Sequence, residues 1–111
     1  MTNHLRGEIS AMLDGTPTTL CLTLGTLANL EAVFGCGDLI ALVERLQSGR
    51  VKADDLIDIL HAGLSGAGDK RSREEVAAIK IEGGVEGAVA IIAELFEATF
   101  PKSDKRDQNG Q

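Results

Sequence analysis

At 111 residues the chain can bury about 65% of its unfolded surface, enough for one modest hydrophobic core and the single domain expected over residues 1–100. Seventeen acidic against eleven basic residues leave a net charge of −6, and Trp and Tyr are absent. Such a chain repels phosphate backbones and lacks the best platforms for stacking bases, which argues against nucleic-acid binding.

The first readable element is a hairpin. Asp14-Gly15 supplies the positive backbone dihedrals of a tight turn, so the run Glu8 to Leu13 is expected to pair with Thr18 to Thr23. Leu24, Leu27, Leu30 and Phe34 then repeat at helical spacing behind Thr23, a natural N-cap, and Gly35-Cys36-Gly37 supplies the stop. Asp38 is placed to cap a second helix with Leu39, Leu42, Val43 and Leu46 on one face, ending at Ser48-Gly49. A third helix starts near Ala53, with Asp54 and Asp55 where the helix dipole favours negative charge and with a stripe of Leu56, Ile57, Leu60 and Leu64.

Gly66 to Arg71 reads as a connector. Ser72-Arg73-Glu74-Glu75 matches a capping box, which predicts a short fourth helix through Val76 and Ile79 with a break at Gly83-Gly84. The last helix, about Val85 to Thr99, carries Val85, Ala88, Val89, Ile92, Leu95, Phe96 and Phe100 on one face, widened by Ile91 and Ala98. Pro101 ends it, and residues 101–111 contain no large hydrophobe to offset the entropy of ordering, so a disordered tail is expected. The expected fold is α+β, an N-terminal β-hairpin followed by four to five helices. Its expected core is Leu20, Leu22, Leu30, Phe34, Leu42, Leu60, Ile92 and Phe96.

Motifs for chemistry are weak. Gly35-x-Gly37 follows a helix rather than a strand, with Ile40 where a third glycine belongs, and Gly83-Gly84-x-x-Gly87 lacks the Lys-Ser/Thr of a phosphate loop. Asp54, Asp58 and His61 share a helical face, an arrangement that can hold a metal but that a solvated face also explains. Cys21 and Cys36 have no neighbouring His or second Cys and read as small core residues. Gly63-Leu64-Ser65-Gly66 is one residue short of a nucleophile elbow and reads as a helix stop. No catalytic residue, cofactor or metal is expected, and the chain is read as a non-enzyme.

The start Met1-Thr2-Asn3-His4 has no apolar signal-peptide core, and Val85 to Phe100, interrupted by three Glu, is shorter than the roughly 20 residues of a membrane span. The expected location is the bacterial cytoplasm, with no membrane contact. The breadth of the last helix exceeds what one core contact needs. Such a helix is either central or leaves apolar surface for a partner, and Val89, Ile91, Leu95 and Phe100 are the expected partner-binding residues.

Several segments in series resemble the small tail-assembly proteins of gene transfer agents and related phages. They are Gly7-Glu8, the Asp14-Gly15 turn, Leu20-Cys21-Leu22-Thr23-Leu24-Gly25, Leu30 to Gly35, Gly37-Asp38-Leu39, His61 to Gly68 and Ile81-Glu82-Gly83-Gly84. The resemblance implies a tail-assembly chaperone that binds the tape-measure or major tail protein, or alternatively a tail-tube component retained in the particle. It supplies no catalytic residue.

Overall fold

The computed structural model describes residues 7–48 and 50–100. The expected tail at 101–111, the amino-terminal segment before Gly7 and the expected stop at Gly49 lie outside the described residues. An antiparallel hairpin of β1 (Glu8–Leu13) and β2 (Thr16–Cys21) is followed by α1 (Leu24–Phe34), α2 (Leu39–Gln47), α3 (Ala53–Gly66), α4 (Arg73–Ala77) and α5 (Gly84–Thr99), an α+β fold.

Asp14 and Gly15 adopt φ of 54° and 74°, the pair of positive dihedrals that matches the twist of the flanking strands. This two-residue turn forces Leu13 opposite Thr16, so β2 starts two residues earlier than the composition suggests and ends at Cys21. Thr23 is thereby left to cap α1 rather than extend the strand. Ile9, Leu13 and Leu20 point to the buried face.

Pairing next to a two-residue turn alternates. Leu13/Thr16, Ala11/Thr18 and Ile9/Leu20 exchange backbone hydrogen bonds, whereas Glu8, Ser10 and Met12 on β1, and Pro17, Thr19 and Cys21 on β2, aim their backbone groups outward. The first outward rung beyond β1 is filled: the Asp14 N–H donates to the Lys80 carbonyl at 3.0 Å, and the Lys80 N–H donates to Asp14 Oδ1 at 2.8 Å. These two bonds tie the connector before α5 to the hairpin tip.

The helix starts follow side-chain caps. Thr23 Oγ1 accepts from the Thr26 N–H at 3.2 Å while Thr26 Oγ1 accepts from the Thr23 N–H at 2.8 Å. Asp38 Oδ1 accepts from the Ala41 N–H at 2.8 Å. Ser72 and Glu75 form the expected reciprocal box at 3.1 and 2.8 Å. At α3, Asp55 reaches back to accept from the Lys52 N–H at 2.9 Å. Each bond satisfies an amide that the helix itself leaves without a carbonyl.

Six of the eight expected core residues (Leu20, Leu22, Leu30, Leu42, Leu60 and Ile92) are buried, and Phe34 and Phe96 are half-buried against them. Leu24 is an exception among the expected stripes. It occupies the first turn of α1, outside the layer that Leu27 and Leu30 enter, and is 82% exposed. The central helix is α3, which packs against β2, α1, α4 and α5. Ile59, between the expected stripe residues Ile57 and Leu60, is fully buried because α3 is covered on more than one side.

That position requires close approach. A Cβ on Gly66 would overlap the Cys21 carbonyl oxygen, and one on Gly63 would lie 3.0 Å from a Leu95 methyl and 3.1 Å from a Leu20 methyl. Gly66→Ala should therefore lower stability by about 1–3 kcal/mol through overpacking, although alanine is the better helix former. Leu60→Ala should cost about 2–5 kcal/mol through the cavity it leaves. Urea unfolding midpoints of the two variants check both values.

Candidate functional site: an apolar groove between α2 and α5

Residues of α2 and α5 form the two walls of a groove whose floor belongs to α3. Val43 and Leu46 line one wall, Leu56 and Ile59 the floor, and Val89, Ile92, Ala93, Phe96 and Phe100 the other wall, with Val51 closing one end. The cavity volume is about 340 Å³. Heptad-like spacing on α5 puts Val89, Ile92, Phe96 and Phe100 along one strip, and the rings of Phe96 and Phe100 lie 6.1 Å apart.

Ala88, Ile92 and Leu95 of α5 are buried, and Ile91, Phe96, Ala98 and Phe100 pack half-buried against the core, so Val85 and Val89 are the large hydrophobic residues of this helix that stand exposed. Val85 is 67% and Val89 48% exposed. Of the four residues expected to bind a partner, Val89 and Phe100 line the groove. Ile91 is half-buried against the core on another side of the helix. Leu95 is fully buried, and it packs towards Gly63 on α3, where no partner can reach it in this conformation. Helical periodicity places Leu95 beside Phe96 without telling which of them turns inward.

The mouth of the groove carries charge of both signs. A recess formed by Arg45, Ser48, Arg50 and Lys52 joins the groove at Val51, and Glu97 stands on the opposite wall. Arg45 is engaged in the fold. It donates to the Arg50 carbonyl at 2.6 Å, pairs with Asp55 at 3.3 Å and lies 5.5 Å from the centre of the Phe34 ring. Arg50 and Lys52 are exposed.

The other polar constellations resolve into structural contacts. Arg73 of α4 pairs with Asp58 at 2.7 Å and Asp54 at 3.1 Å, so the face considered for a metal docks α4 onto α3. Hydrogen bonds to Asp58 first and Asp54 second raise the Arg73 pKa, keeping the guanidinium charged. Among the described residues no three His, Cys, Asp or Glu side chains gather as metal ligands. Burial, and then the charge of Glu8, raise the Cys21 thiol pKa, which opposes formation of a nucleophilic thiolate. Gly63 and Gly66 serve the contact between α3 and the hairpin, and Ser65 between them is exposed. No single described helix is long and apolar enough to cross a membrane.

The chain is thus an α+β domain that carries an apolar groove between α2 and α5. Residues 6–102 match the family model described as phage tail tube protein, GTA-gp10. The chain belongs to that family, and is therefore a gene transfer agent or phage-type tail protein. No match is found among curated proteins or among solved structures.

Two outcomes follow from the way the polar groups are used. Arg73→Ala should speed amide exchange in α4 while leaving the β1–β2 amides protected, because the bonds it removes join α4 to α3. Chelator and reductant should leave the thermal transition in place. A structural metal or disulfide would contribute several kcal/mol and its loss would shift the melt strongly.

Proposed function

We propose that this chain acts during tail morphogenesis as an assembly chaperone, holding an apolar segment of the tape-measure or major tail protein in the groove between α2 and α5. The observation that carries this reading is the incomplete burial of α5. With Val89 exposed and Phe96 and Phe100 only half-buried beside an open cavity, the helix has apolar area left to cover. An amphipathic helix with anchors at i, i+3 or i+4, and i+7 suits a groove of this shape. Arg50 and Lys52 at the mouth favour acidic residues at one end of that helix.

A second reading is a structural tail-tube component retained in the particle. It is favoured by the family's own description as tail tube protein. Mass spectrometry of purified particles separates the two: the chaperone is absent from finished particles, whereas a tube component is present at stoichiometric copy number.

Val89→Glu tests the groove itself. The variant should lose about tenfold or more in affinity for the tape-measure or major tail protein, because the carboxylate would be desolvated without a partner. It should cost less than about 1 kcal/mol in stability, since the side chain is half in water. Co-purification measured beside a melting curve distinguishes lost binding from lost folding. Unchanged binding in a folded variant places the interface elsewhere.

A further inference from the structure

The two edges of the hairpin are unequal. On β2 the outward positions are Pro17, Thr19 and Cys21, and Pro17 has no N–H to donate, so the ladder beyond this edge is broken at its first rung from the turn. On β1 the outward positions Glu8, Ser10 and Met12 all carry an N–H and a carbonyl, and none takes a backbone partner among the described residues. The next outward rung, Asp14, is already occupied by Lys80. The open stretch is therefore bounded at the turn and has Ser10 at its centre.

We propose that this edge of β1 pairs with the β1 edge of a second copy of the chain, antiparallel and about a two-fold axis at Ser10. The occupant follows from the asymmetry of the edges. Head-to-tail pairing of β1 with the β2 of another copy would meet the missing donor of Pro17, whereas β1 with β1 uses only competent edges and closes on itself. Only one antiparallel register fills all three open rungs on both copies. It sets Ser10 opposite Ser10 of the second copy, and Glu8 opposite Met12 of the second copy, so no like charges face each other. On the buried side the same register sets Ile9 beside Ala11 of the second copy, extending the apolar face. The four strands then run β2-β1-β1-β2, with a proline-bearing strand at each end.

Because Ser10 is exposed and its side chain points away from the core, its replacement leaves the hairpin's internal bonds in place. The test is sedimentation equilibrium of the full chain, with Ser10→Lys and Ser10→Glu variants alone and mixed. Wild type should dimerise, each variant alone should dimerise about fivefold or more weakly, since two like charges would meet at the axis, and the equimolar mixture should recover dimer. Recovery in the mixture identifies Ser10 as the axial residue, because a merely unfolded variant cannot be rescued by its opposite. A wild type that stays monomeric, or variants that dimerise like wild type, overturns the proposal. Val89→Glu should dimerise normally; if it alone abolishes the dimer, the copies meet through the groove instead.

Discussion

The close approach of α3 to the hairpin is the constraint on which the rest of the fold depends. Gly66 lets the helix backbone come against the Cys21 carbonyl, and Gly63 makes room for Leu20 and Leu95 on either side. With α3 this near to β2, one helix can touch the hairpin, α1, α4 and α5 at once. A chain with only three aromatic residues fills its core mainly with Leu and Ile. Such side chains reach less far than rings, so the layers must come close to meet.

Polar contacts hold what apolar area alone does not. The five-residue α4 buries only Val76, and Arg73 anchors it to two carboxylates of α3. Asp55, buried at the start of α3, joins Lys52 and Arg45 and so fixes α2 relative to the floor of the groove. The Asp14–Lys80 pair ties the hairpin tip to the connector before α5. The Arg45–Asp55 pair thus links the α2 wall to the floor helix, while α5 packs on α3 directly and the cavity lies between the two walls.

Local signals were legible in the residues themselves. Asp14-Gly15, Thr23, Asp38 and the Ser72/Glu75 box act over three or four positions, and each appears where composition places it. Burial on a single helix was less legible. Leu24 and Leu27 differ by one turn, yet one is exposed and the other buried, because the packed layer ends between them. Leu95 and Phe96 are neighbours on a broad apolar face, and which is inward depends on where α3 lies. The groove is less legible still. Val43 and Leu46 become its wall only through the path of the chain, and nothing within either helix encodes the gap. Asp54 and Asp58 looked like ligand candidates because their partner, Arg73, stands nineteen and fifteen positions away.

Pro17 has a consequence for solubility. A two-stranded sheet is an efficient template for fibre growth when both edges can recruit further strands, because each added strand regenerates the edge that was consumed. An imino acid at the first outward position of β2 breaks that regeneration, and Lys80 caps the tip of the other strand. One residue without an N–H thereby limits how far a sheet can propagate from this chain.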